Sequence, residues 1–197
     1  MQKFEEKKFN LPKLKGISEK NIEEHLKLYA GYVKNANLVL EKIEEMGANL
    51  EANSYAISET QRRFGFEYNG VRNHEIYFAS LENGSNVISE NGGLKNKIAE
   101  EFGSFNKWLS YFKSLATTRG IGWAILYWDK KDQRLLNAWV DEQHIGQLQD
   151  CSPILALDMW EHAFVADYQP SGKKQYIEDF FENLNWEVVE KNFEKAQ

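Results

Sequence analysis

Near Ile121 the hydrophobic pattern of this 197-residue chain changes period, and that change sets its fold class. Up to Ala116 apolar residues recur near helical intervals. Beyond Ile121 come three short apolar runs, Ile121–Trp128, Arg134–Val140 and Pro153–Leu157, rich in Ile, Leu and Trp. The first two are joined by the polar turn DKKDQ, which is a hairpin signal. A helical lobe followed by helices packed on a small antiparallel sheet predicts an α+β chain.

Within the helical part, Ser18 stands where an N-cap belongs, and no proline follows before Gly47 stops the run. His25, Tyr29 and Tyr32 lie at i, i+4 and i+7, so a regular helix puts all three on one face. A second helix is expected over Ser54–Phe64 and, after Gly65, a third over Tyr68–Leu81, giving a helical hairpin or three-helix lobe. The Gly-, Asn- and Ser-rich segment Glu82–Gly93 is the expected lobe boundary. Past it, Leu94–Phe102 and Ser104–Ala116 read as helices, as do Lys173–Leu184 and Glu187–Lys195 at the end.

Charge and cysteine usage exclude several functions. A net charge of -6 argues against generic nucleic-acid binding, which needs clustered Lys and Arg against phosphates. The single cysteine, Cys151, can form neither an internal disulfide nor a thiolate zinc cluster, and nothing nearby activates it as a nucleophile. The first ten residues carry no apolar run, and no stretch approaches the ~18 apolar residues of a membrane span, so a cytoplasmic protein without membrane contact is expected.

Only four histidines exist, His25, His74, His144 and His162, so any constellation among them is easily tested. Asp158 ends an apolar strand and precedes His162 by four residues. A buried carboxylate there needs a cation or hydrogen-bond donors. A metal ion meets that need, and so does a role for Asp158 as the N-cap of a following helix. Imidazole and carboxylate together serve iron or manganese.

The block DMWEHAF, followed by DY and later NLNWEVV, resembles the C-terminal signature of the iron/manganese superoxide dismutase family. ISEKNIEEH with YVKNAN, then NHEIYF, FGSF and GIGW, extend the resemblance over nearly the whole chain in the family's order. The resemblance implies an N-terminal α-helical hairpin lobe (1–85) and a lobe (94–197) with a three-stranded antiparallel sheet flanked by helices, with the metal between them. It implies disproportionation of superoxide to oxygen and hydrogen peroxide at one Fe or Mn ion per chain, with a lean to iron. The implied ligands are His25, His74, Asp158 and His162.

Further roles follow from the same likeness. Tyr32 is the implied substrate gateway, and Trp123 and Trp160 are aromatic walls. The metal-bound solvent needs a Gln or His beside it. Position 70, where one lineage supplies that group, is glycine here, which leaves His144 in the loop before the last strand as the expected partner. Glu161 is implied to bond the ligand histidine of a second subunit, giving a homodimer that could pair into a tetramer. Lys173 and Lys174 lie where the family has basic residues near the entrance.

Two departures concern the gateway. The spacing from His25 to Tyr32 is seven residues, one fewer than is usual, with Tyr29 where a histidine would stand; Val165 replaces a tyrosine that would meet that histidine across subunits. Two rival readings remain at this level: a metal-free structural or interaction protein that keeps the fold, and a non-haem iron oxygenase with two His and one carboxylate. Loss of a ligand would favour the first and an open coordination position the second.

Overall fold

Two long antiparallel helices lead the fold, and each begins where a side chain satisfies its free N–H groups. The computed structural model describes residues 2–197. In α1 (Glu19–Gly47) the Ser18 side chain accepts from Asn21 N at 3.1 Å, the capping role that the sequence predicts. In α2 (Leu50–Ala79) Asn49 does the same for Ala52 N at 3.1 Å.

The periodicity predicts two helices between Ser54 and Leu81, and the structure has one of 30 residues running through Gly65. A mid-helix glycine costs roughly 1 kcal/mol relative to alanine, and local bonds offset it here. Arg63 Nε reaches Glu67 Oε1 at 3.1 Å across the glycine, and Asn69 Nδ2 donates to the Gly65 carbonyl at 2.7 Å. The N-terminal segment before α1 lies along this hairpin, where Phe4 N donates to Asn37 Oδ1 at 2.8 Å and Phe4 packs edge-on to Tyr68.

The second half begins with α3 (Gly93–Phe102) and α4 (Phe105–Ala116), then β1 (Gly122–Asp129), β2 (Arg134–Asp141) and β3 (Cys151–Asp158). The sheet is antiparallel throughout, in the order β2-β1-β3. β1 is paired along both edges and buried on both faces, Trp123 to Tyr127 being all essentially buried, and this double cover accounts for its unbroken apolar run. Pro153, which cannot donate to a ladder, is tolerated because β3 is an edge strand. After β3 come single 3-10 turns at Glu161–Ala163 and Pro170–Gly172, then α5 (Lys173–Asn183) and α6 (Trp186–Ala196).

The two halves meet where α2 packs on both α1 and β3. In the ladder Asp158 lies opposite Trp123, so the end of β3 carries a carboxylate to the point where the hairpin touches the sheet. All the described helices and strands fall close to their predicted places except α2.

Because Gly65 sits inside a regular helix and a methyl group there would meet only His144 Cδ2, at 3.4 Å, Gly65→Ala should stabilise the protein by about 0.5–1 kcal/mol in chemical denaturation. A loss of stability would mean that the chain needs a break at this position.

Candidate metal centre

Asp158 is fully buried at the end of β3, and its two oxygens have different company. Oδ1 accepts from Trp160 N at 2.8 Å. Oδ2 faces three imidazole nitrogens: His25 Nε2 at 3.1 Å, His162 Nε2 at 3.2 Å and His74 Nε2 at 3.6 Å. His25 comes from α1, His74 from α2 and His162 from the 3-10 turn after β3, so the four groups are brought together from both halves. Four ligand atoms lie within 4.8 Å of one another, and the side chains of His25 and His74 are completely buried.

His74 brings no positive charge to this cluster. His74 Nδ1 donates to the Gly70 carbonyl at 2.6 Å, which fixes the neutral tautomer and leaves Nε2 as a bare lone pair. That nitrogen is buried, has no hydrogen-bond partner and looks towards a carboxylate oxygen. Burial, with His25 beside it, pushes His74 down to about 3, and burial likewise lowers His25. Burial alone would raise Asp158, but His162 and His25 overcome it and hold the carboxyl below its usual range. A lone pair facing an anion in a dry interior is unfavourable unless a cation lies between them. Three neutral imidazoles and one carboxylate form a suitable donor set for a first-row transition metal, so the residues present fit such an ion.

Aromatic rings enclose the cluster. Trp123 and Tyr32 lie 5.0 and 5.1 Å from the His74 ring, Phe78 lies 4.9 Å from His25, and Trp160 stacks on His162 at 5.7 Å. The Tyr32 ring occupies the space over Gly70, where a Cβ would come within 2.4 Å of it. Tyr29 is buried, stacks against His74 at 6.4 Å, and its hydroxyl accepts from Lys7 N at 2.9 Å.

The expected role of His144 needs correction. The neighbouring side chain, Gln143, is the one that turns inward: it is fully buried, donates from Nε2 to Tyr32 Oη at 2.9 Å and accepts at Oε1 from Trp123 Nε1 at 2.8 Å. Its backbone oxygen accepts from Asn73 Nδ2 at 3.1 Å, and Gln147 Nε2 bonds Asn73 Oδ1 at 3.2 Å, so the loop is pinned to α2. His144 instead packs edge-on to Phe66 at 5.8 Å. The physical reason is the positive φ of Glu142, 52°, which turns the chain just after β2 and sends residue 143 rather than 144 inward. Gln143 and His144 are adjacent in the loop, and the turn decides which of them faces inward.

The other sequence candidates lie as follows. Glu161 is exposed at the start of its turn, next to the 22% exposed side chain of His162, and Val165 is 42% exposed. Lys173 Nζ donates to the Thr118 carbonyl at 2.8 Å, while Lys174 is exposed.

The depressed His74 gives a pH dependence to the metal-stripped chain. The unfolded state takes up a proton near 6.5 and the folded state only near about 3, so stability falls as pH drops from about 6.5 towards about 3. Asp158, lowered from 3.8, acts in the same sense below about 3.8. Thermal unfolding of the stripped protein should show this decline, and it should be smaller in His74→Phe; identical profiles would count against a neutral buried His74.

Comparison with known proteins agrees with this geometry. Residues 9–82 match the alpha-hairpin domain of iron/manganese superoxide dismutases, and residues 90–192 match their C-terminal domain. A protein named superoxide dismutase [Fe] from Cupriavidus metallidurans is 33% identical over 187 residues, covering 93% of this chain and 92% of that one. Superoxide dismutase [Mn] from Mycolicibacterium fortuitum is 34% identical over 174 residues, 87% of this chain and 82% of its own. Superoxide dismutase [Mn/Fe] from Aeropyrum pernix is 31% identical over 175 residues, 87% and 80% respectively. With both domains matched and His25, His74, Asp158 and His162 converging on one point, this chain belongs to the iron/manganese superoxide dismutase family.

Proposed function

We propose that the chain disproportionates superoxide at a single iron or manganese ion held by His25, His74, Asp158 and His162, between a helical lobe (1–85) and a sheet lobe (94–197). The observation that carries this reading is the approach of three imidazole Nε2 atoms to one buried carboxylate oxygen. An ion held there would supply one-electron redox chemistry, taking an electron from one superoxide and giving it to another. Two superoxide anions and two protons thereby yield one oxygen and one hydrogen peroxide. Either ion satisfies the donor set.

The protein's part is to deliver protons and exclude other reactants. Gln143 is the group we assign beside the ion, in place of His144: both ends of its amide are bonded, so its orientation is fixed. Tyr32 is the assigned gateway. Burial first, then the charges of Asp158 and Glu67, raise its phenol, so the hydroxyl keeps its proton at neutral pH and can donate it towards a nascent peroxide. Trp123, Trp160 and Phe66 form walls that admit a small anion and keep out larger reductants.

No residue favours the two rival readings. A metal-free structural protein has no need of a lone pair facing a carboxylate, and an oxygenase would leave open the position that the third imidazole fills. We further assign the chain to a two-fold homodimer, which could pair into a tetramer, in which Glu161 of one protomer meets His162 of the other. The cytoplasm is the assigned compartment, on the grounds of one unpaired cysteine; no helix is long and apolar enough to cross a membrane.

Loaded with iron or with manganese, the protein should show dismutase activity with at least one of the two. In that form Gln143→Leu should keep its metal and lose about 10–100-fold in turnover, while His144→Leu keeps both; the reverse pattern would restore His144 to the site. Glu161→Ala should weaken the dimer, and an unaltered dissociation constant in sedimentation at low concentration would count against the bridge.

A further inference from the structure

Beside the cluster lies a set of phenols to which the proposed dismutation assigns no part. Tyr77 and Tyr176 are both completely buried. The Tyr77 ring lies 5.1 Å from the ring of His25, and its hydroxyl is 3.2 Å from that of Tyr176. Tyr176 in turn donates to the Asp158 carbonyl at 2.9 Å, so its hydroxyl touches the backbone of a second ligand. The Tyr168 ring stands edge-on to Tyr176 at 5.9 Å and is only partly buried. Its hydroxyl donates to Asp179 Oδ2 at 2.7 Å.

The last contact is a built feature. Gly16 has φ +76°, a left-handed conformation that suits glycine, and a Cβ there would come within 2.3 Å of both Tyr168 Oη and Asp179 Oδ2. Gln175 Nε2 bonds the other carboxylate oxygen at 3.1 Å, which fixes Asp179 facing the phenol. Three tyrosines thus run in contact from a metal-ligating histidine to a phenol paired with a base.

We propose that Tyr77, Tyr176 and Tyr168 form a route by which oxidising equivalents leave the metal centre and come to rest on Tyr168. The inference rests on the assigned redox ion, and its oxidant is hydrogen peroxide, the product of the reaction itself. Peroxide that meets the divalent ion takes one electron from it and one from the tyrosine chain. The O–O bond breaks, and two protons from solvent complete two waters. The tyrosine electron is supplied finally by Tyr168, whose phenolic proton passes to Asp179, leaving a neutral tyrosyl radical.

Proton acceptors decide where the radical stops. An oxidised phenol that keeps its proton is a buried cation and is strongly disfavoured in a dry interior. Tyr176 has only a backbone carbonyl to take its proton, and Tyr77 has only another phenol. Tyr168 alone among the three has a carboxylate. The route therefore runs down to Tyr168 and away from Trp123, Trp160 and Tyr32, whose oxidation would damage the walls and gateway of the site.

The test uses iron-loaded protein whose dismutase activity has first been measured, reduced, and then exposed to excess hydrogen peroxide with a nitroso spin trap. Peptide mapping by mass spectrometry locates the label. The expected result is labelling of Tyr168 in the parent and loss of that label in Tyr176→Phe and in Asp179→Asn. In Tyr168→Phe the label should move to Tyr176, Tyr77 or the tryptophans, and activity should fade faster under peroxide. Three results would overturn the route: no label on Tyr168 in an active parent, undiminished Tyr168 label in Tyr176→Phe, or equal labelling of the metal-stripped chain. A parent that binds iron without dismutase activity would instead count against the functional reading.

Discussion

A single carboxylate oxygen, Asp158 Oδ2, sets the terms for the rest of this molecule. Burying a charge completely is unfavourable by several kcal/mol unless partners compensate, and here the partners come from three separate elements. Much of the architecture is what is needed to bring them together. The hairpin of α1 and α2 carries His25 and His74, the edge strand β3 delivers Asp158, and the turn after it returns His162 to the same point. The central strand β1, apolar on both faces, is the floor against which these parts are fixed, and Trp123 at its start already touches His74.

Around that centre the polar groups divide into two sets with different tasks. On one side the side-chain amide of Gln143 joins Tyr32 to Trp123, while its backbone carbonyl is held by Asn73 of α2, which Gln147 of the same loop also bonds. A network of this kind is stiff only because each member is bonded at both ends. On the other side the phenols of Tyr77 and Tyr176 reach the ligands from behind, and the backbone carbonyl of Asp158 is part of that contact.

Much of this was legible in the sequence where the signal is local and repeated. Ser18 marks the start of α1, the alternation between helical and short apolar runs marks the sheet, and the DMWEHAF block with His25 and His74 leads to the ligand set. What escaped was decided by single residues in their tertiary setting. The continuity of α2 through Gly65 depends on Asn69 and on the Arg63–Glu67 pair, which propensity does not count. The choice of Gln143 over His144 depends on one positive φ at Glu142, because rotating a turn by one residue exchanges inward and outward side chains. Tyr29 shares a helix face with His25, but its hydroxyl is occupied by a backbone N–H from the N-terminal segment, a contact across 22 positions that no periodicity reveals.

The regular winding of α1 between His25 and Tyr32 places the tyrosine ring in the volume that a side chain at position 70 would fill. Those two sites therefore compete for one space, and their substitutions will be strongly non-additive. A larger residue on α2 is excluded while the ring remains, and a smaller residue on α1 would leave a void against His74.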